Sequence, residues 1–167
     1  AAPAPLLNFG AIALIAKFTH TIGEWCLHSR NYWHWHTNAS HAYLMESGDI
    51  LTLRVDFSKL VPPSRHQVEY ILGGVCVLVS ALTNGADGFE VVRFRHTRPV
   101  DTSFHQEFFP CPVEFSSSHD ELVYRRDLHD HPIELSSEAL EDWLTYYIKA
   151  RTWTIPDYDA TARAIVE

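Results

Sequence analysis

Apolar residues at Val68, Ile71, Leu72, Val75, Cys76, Val79 and Leu82 recur at the three- and four-residue spacing of one helical face. Ser64 and Gln67 stand ahead of them at the spacing of a capping box, and Pro62-Pro63 marks a break before it. Asn84-Gly85 supplies an end, so a helix over 64–84 is predicted. Val77 and Leu78 widen its apolar face, which implies that it lies across a sheet with little solvent exposure. Gly73-Gly74 in its middle costs about 1 kcal/mol per glycine relative to Ala. That cost points to close approach of a neighbouring backbone or, less directly, to a binding cavity.

Thr21 and Glu24 repeat the capping-box spacing and predict a helix over 22–31. Segments 41–46 and 50–57 flank Ser47-Gly48-Asp49. The second alternates Leu51, Leu53, Val55 and Phe57 with Thr52, Arg54 and Asp56, the period of a half-buried strand in a hairpin. Segment 89–96 reads as a strand with Phe89, Val91, Arg93 and Arg95 on one side and Val92, Phe94 and His96 on the other. A short helix over 101–109 ends at Pro110-Cys111-Pro112. Segments 113–115 and 121–125 then read as a second hairpin across a five-residue, turn-rich loop. Ser137 opens an amphipathic helix with Leu140, Trp143, Leu144 and Tyr147 on one stripe, and a further helical pattern begins after Pro156. Helices interleave with hairpins rather than following each strand, so the expected class is α+β: an antiparallel sheet with helices packed on one face.

Composition narrows the class without naming a function. The 167 residues are 46% hydrophobic and 20% charged, ordinary usage for one compact domain. A formal charge of -8 repels phosphate backbones, so the chain alone is not expected to grip nucleic acid. Three widely spaced cysteines argue against a disulfide framework and a thiolate zinc site and fit a reducing, cytoplasmic compartment. The longest apolar runs, 11–16 and 75–79, fall far short of the roughly 20 residues of a membrane span. Neither a membrane helix nor a signal peptide is predicted, and the opening Ala-Ala-Pro-Ala-Pro without Met reads as an excised fragment.

Chemistry-bearing residues are sparse. His34 and His36, with His41 nearby, invite a metal site, yet they share a face only if the segment is a strand. An aromatic, partly buried surface is the blander reading of that cluster. His129-Asp130-His131 before Pro132 reads as a solvated loop, and Cys111 between prolines as a structural thiol. Arg93, Arg95, His96 and Arg98 form the basic concentration of an acidic chain. Alternate strand positions would align Arg93 with Arg95, either as a solvated face paired with carboxylates or as a guanidinium fork for a ligand acid. No GxSxG, P-loop, GxGxxG or HExxH occurs.

The runs Val91-Val-Arg-Phe-Arg-His-Thr-Arg-Pro99, Phe104-His-Gln-Glu-Phe-Phe-Pro-Cys-Pro-Val-Glu-Phe115, Asp120-Glu-Leu-Val-Tyr124 and Leu128-His-Asp-His-Pro-Ile133 occur in order along the chain. Together they resemble the amino-terminal effector domain of AraC/XylS regulators, of the arabinose-binding-like type. The family's pattern is F-x-H-x-x-P, then F-x-x-P-V-x-F, then a closing L-x-x-P-L; here three residues stand between Leu128 and Pro132, and Ile133 replaces the last Leu. Phe9 to Glu24 and Gly48 to Val55 are similar to the family's upstream segments, so the likeness covers about residues 9–135.

The resemblance implies a non-catalytic sensory and dimerising domain at 1–135 and a helical segment at 136–167. That segment leads to helix-turn-helix units absent from this chain. It also implies a small-molecule effector, a homodimer and no cofactor, with DNA bound only through the absent part and no membrane partner. Other branches of the family are cupin-like barrels, the alternative fold. A barrel carries one long helix before residue 135, and the three helical patterns here favour the sheet. Trp33, Trp35, Tyr43 and Tyr70 are the expected aromatic pocket walls, and Arg93 and Arg95 the expected acid-binding pair. Two other readings compete: a metalloenzyme built on His34, His36 and His41, and a purely structural dimerisation domain.

Overall fold

The computed structural model describes residues 11–36, 40–57 and 63–133. The expected helix from Ser137 and the whole 136–167 segment lie outside the described residues. In chain order the elements are α1 (Ala11–Ile15), a 3-10 turn (Ala16–Phe18), α2 (Ile22–Asn31), α3 (Trp33–His36), β1 (Ser40–Ser47), β2 (Ile50–Phe57) and α4 (Arg65–Leu82). They continue with β3 (Phe89–Arg93), α5 (Ser103–Phe108), β4 (Val113–Glu114), β5 (Glu121–Arg125) and α6 (Arg126–His129).

The helix signals act as their chemistry dictates. Ser64 Oγ accepts from the Gln67 amide at 3.3 Å while Gln67 Oε1 accepts from the Ser64 amide at 2.9 Å, a reciprocal capping box at the start of α4. At its other end Asn84 and Gly85 take φ of 54° and 86°, and the Gly85 amide donates to the Ser80 carbonyl at 2.7 Å. Thr21 caps α2 through the Glu24 amide, but the Glu24 carboxylate reaches one residue further back, to the His20 amide at 2.7 Å.

The five strands form an open sheet in the order β1-β2-β5-β3-β4. Every neighbouring pair is antiparallel except β3 and β4, which are parallel. The fold is α+β with helices on one face of the sheet; it is not a closed barrel. α4 supplies Leu72, Cys76, Leu78 and Leu82 to a core that also takes Ile22 and Trp25 from α2 and Leu51, Val55, Val92, Leu122 and Tyr124 from the sheet. Full burial of each such side chain contributes about 1.5–3 kcal/mol before chain entropy is charged against it.

Two sequence expectations give way. The 113–115 and 121–125 segments do not form a hairpin, because β3 lies between them. Crossing one intervening strand takes about 10 Å, which a five-residue loop spans easily. The loop is held past the end of β3 by Ser117 N–H to the Phe94 carbonyl and Val55 N–H to the Asp120 carbonyl. Strict alternation along 89–96 also fails. Phe89 pairs with Tyr124 and Val92 with Leu122, so β3 spends one more residue than β5 over the same stretch. That bulge turns Phe89 into the core beside Val92, where an unbroken strand would place it with Val91 and Arg93.

The end of the described chain is stitched back to the start of α2. Ile22 N–H donates to the His131 carbonyl at 3.1 Å, and Ile133 N–H to the His20 carbonyl at 2.9 Å.

Candidate functional site

Between α2, α4 and the β1–β2 hairpin lies an enclosed apolar cavity of about 50 Å³. Trp25, Trp33, Leu44, Leu53, Tyr70 and Val75 form much of its wall, with Ala42 and Ile71 between them. The indoles are held by their own donors: Trp25 Nε1–H to the Ile12 carbonyl at 3.0 Å and Trp33 Nε1–H to Ser40 Oγ at 3.1 Å. Three lining residues from α2 break the apolar surface. Cys26 is inert, its thiol pushed up to about 12 by burial, against a contact with the Tyr124 hydroxyl that acts the other way. Ser29 is only 6% exposed, and its hydroxyl has no hydrogen-bond partner among the described residues. A buried hydroxyl left unpaired costs about 1–3 kcal/mol, so this one is an exception that calls for a partner. Arg30 stands at the rim, exposed, with no carboxylate paired to it among the described residues.

The aromatic residues expected to wall a pocket divide. Trp33 and Tyr70 line this cavity. Tyr43 is half exposed and pairs across the hairpin with Arg54, while Ala42 and Leu44 on either side of it line the cavity. Trp35 belongs to α3, and its side chain lies outside the described residues. Arg93 is held by Glu114 at 2.8 Å and Glu121 at 3.0 Å, and Glu121 also takes Arg54 at 3.0 Å. Arg95 lies beyond the end of β3. It borders a separate depression with Arg65, His96 and Asp120.

Among the described residues the histidines are not arranged for a metal. α3 is a helical turn, in which positions two apart point about 200° from each other, so the strand geometry required of His34 and His36 is absent. Among the described residues no group of three or more His, Cys, Asp or Glu side chains is placed to hold a metal ion. His129-Asp130-His131 is not simply a solvated loop. His129 closes α6, is half buried, stacks on Tyr124 at 6.1 Å between ring centres and sits against Gly23. Burial pushes its imidazole below the ordinary value, against the charges of Asp130 and Glu46. Cys111 is partly buried, and burial pushes its thiol up to about 11, which leaves it no nucleophile at neutral pH.

A second constellation, at the β3–β4 edge, was only partly visible in the sequence. Phe94, fully buried, packs against the rings of His96, His105, Phe109 and Phe115 at centroid separations of 5.0–6.4 Å. His105 Nε2 lies 2.7 Å from Glu69 Oε1, which also accepts from Arg65 at 2.9 Å and lies 3.3 Å from His96 Nε2. Burial favours the neutral Glu69 acid, but the hydrogen bonds from His105 and Arg65 outweigh it and hold the carboxyl below its usual range. An open groove of about 470 Å³ runs beside this cluster, along Tyr70, Gly73, Gly74, Val77, Phe104 and Phe108. A β-carbon on Gly73 would sit 2.7 Å from Phe108 Cε1, so the close approach anticipated there is to an aromatic ring.

The family model for the arabinose-binding domain of AraC transcription regulators, N-terminal, matches residues 1–133. The chain belongs to this family. Its fold is similar to the crystal structure of the transcriptional regulator CdpR from Pseudomonas aeruginosa, with a TM-score of 0.60 and 16% identity over 87% of this chain. The chain spans 55% of the length of CdpR. No curated protein matches at the sequence level. Among the described residues no helix is long and apolar enough to cross a membrane. Membership of a regulator family supports an effector-binding regulatory domain. The residues that carried the resemblance, Phe94, His96, Phe109 and Phe115, are the aromatic cluster at the β3–β4 edge.

Proposed function

We propose that this chain is the effector-sensing domain of a cytoplasmic, homodimeric AraC-type regulator, and that the small-molecule effector occupies the cavity between α2, α4 and the β1–β2 hairpin. Residues 1–135 form the sensing unit, and 136–167 lead toward a helix-turn-helix region outside this chain. In the intact regulator DNA is bound only through that region, and this domain catalyses no reaction. One observation carries the choice of site: the apolar cavity holds a buried hydroxyl, on Ser29, that has no hydrogen-bond partner among the described residues. The groove at α5 is larger but more open, and although the buried Nδ1 of His105 makes no hydrogen bond among the described residues, its Nε2 is already bonded to Glu69. Pockets for small molecules are mainly apolar with a few converging polar groups, which is the character of the smaller site.

The connectivity supplies a route from ligand to output. α2 walls the cavity, and its first residue, Ile22, bonds to His131 while His20, just ahead of its cap, bonds to Ile133 at the end of the described chain. A ligand that binds one position of α2 against α4 better than another shifts the population of those positions and, with them, the exit segment. Thermal denaturation against classes of metabolites tests the reading: one class raises Tm in proportion to the logarithm of its concentration. Trp33→Leu removes that rise. A rise unchanged by Trp33→Leu assigns the effector to another site, and stabilisation by divalent metal alone returns the metal reading.

A further inference from the structure

We infer that the effector is a slender, mainly aliphatic monocarboxylic acid, whose carboxylate is read by the Ser29 hydroxyl and the Arg30 guanidinium at the end of α2; this rests on the cavity being the effector site. Ser29 lines the cavity, is more than nine-tenths buried and offers a donor with no acceptor among the described residues. The next residue, Arg30, is the charged member of the described cavity wall and makes no ion pair with any described carboxylate. The remaining wall is almost entirely carbon, which suits an alkyl body and gives a sugar's hydroxyls nothing to bond. The cavity is narrow, so the occupant is slender.

The arginines that sequence spacing favoured for this task are less suited to it. Arg93 already donates to two carboxylates, Glu114 and Glu121, and Arg95 lies on a different depression. The end of α2 sharpens the requirement. The last turn of a helix carries partial negative charge and disfavours an anion, so a carboxylate is held there only while a full positive charge outweighs it. Arg30 is that charge, in the last turn of α2.

The test uses hexanoate, hexanol and hexylamine as probes, with binding to the full chain followed by isothermal titration calorimetry. Hexanoate is expected to bind, and Arg30→Gln to weaken it by about tenfold or more, the usual size of a lost charge-assisted hydrogen bond. Hexanol binding is expected to be unaffected by Arg30→Gln, which removes an exposed charge and leaves the fold intact by circular dichroism. Ser29→Ala is expected to weaken hexanoate by about threefold, and Arg95→Gln to leave it unchanged. If hexanoate and hexanol bind alike and neither responds to Arg30→Gln, the carboxylate assignment is overturned while the cavity remains the effector site. A hexanoate affinity that falls with Arg95→Gln and not with Arg30→Gln moves the acid site to the other depression. Hexylamine binding in preference to hexanoate overturns the charge assignment. If none of the three binds, both the acid and the cavity are wrong.

Discussion

At the β3–β4 edge Phe94 is enclosed by four rings, and Glu69 takes hydrogen bonds from His105 and Arg65. At the β1–β2 end Trp25, Trp33 and Tyr70 surround a void, one hydroxyl has no partner, and Arg30 has no counter-charge among the described residues. Both regions pack against the same long helix, α4, which contributes Glu69 to one and Tyr70, Ile71, Val75 and Leu78 to the other. The contrast that separates a brace from a receptor is one of packing, because unpartnered buried atoms occur in both, on His96 and His105 as well as on Ser29. Interiors are close-packed where the structure must be unique, and unfilled space concentrates where something else is meant to bind.

The largest effect that tests this division is on Phe94→Ala. Phe94 has no exposed surface and centres the cluster, so its truncation is expected to cost about 3–5 kcal/mol in urea denaturation. Trp33, half buried at the cavity wall, is expected to cost clearly less when changed to Leu. Equal losses at the two positions would show that the cavity wall is as rigid a structural element as the brace.

The fold was legible where local chemistry decides it. Both helix caps, the first hairpin, the long helix and the open α+β sheet follow from side chains acting within a few residues of one another. The placement of β4 was not legible, because a five-residue loop serves equally to reverse a chain or to step past a strand. Neither was the bulge at Glu90, which depends on pairing with Tyr124 and Leu122 some thirty residues away. The site was legible in part. Trp33 and Tyr70 are conspicuous by size, and they line the cavity. Ser29 and Arg30 carry no motif; their meaning comes from the absence of partners, which only the folded neighbourhood defines. Arg93 and Arg95 were conspicuous by charge, yet Glu114 and Glu121, distant in sequence, take up the charge of Arg93.

A second test acts on the joint between α2 and the exit segment. A β-carbon on Gly23 meets the His129 ring, so Gly23→Ala is expected to destabilise by about 1–3 kcal/mol despite the gain in helix propensity. Because His131 and Ile133 follow His129 directly, the same substitution is expected to loosen their bonds to α2, seen as faster hydrogen exchange of the Ile22 and Ile133 amides. Slow exchange retained in the variant would disconnect the cavity from the route proposed for its output.

A smaller effect distinguishes the two regions by pH. Burial favours the neutral form of Glu121, but hydrogen bonds from Arg93 and Arg54 outweigh it and hold its carboxyl below the usual value, as His105 and Arg65 do for Glu69. A carboxyl whose folded value is lowered contributes stability that is fully present above the ordinary Glu value, 4.5, and is lost as pH falls through the lower folded value. Denaturation midpoints are therefore expected to fall below about pH 4.5, and Glu121→Gln to cost about 1 kcal/mol at pH 7 while flattening that acid limb. An acid limb unchanged in the variant would remove Glu121 from the account. Arg30 pairs with no carboxylate among the described residues, so Arg30→Gln is expected to leave the acid limb as it is.

The smallest effect has the opposite sign and addresses the cavity itself. Ala42 faces the void from β1, where a β-branched side chain suits the strand. Ala42→Ile adds methyl groups to that space and is expected to stabilise the free domain by about 0.5–1 kcal/mol, as cavity filling commonly does. The same groups occupy the path of an effector, so thermal stabilisation by the bound metabolite is expected to shrink as the intrinsic Tm rises. The comparable addition at the brace, Gly73→Ala, meets Phe108 at 2.7 Å and must displace that ring, so it brings no such pairing of gain and loss. A variant that gains stability and loses ligand response together identifies the void as kept open for binding. One that loses stability shows the space at Ala42 to be closed to added carbon, and the receptor would then have to be sought in the open groove beside α5.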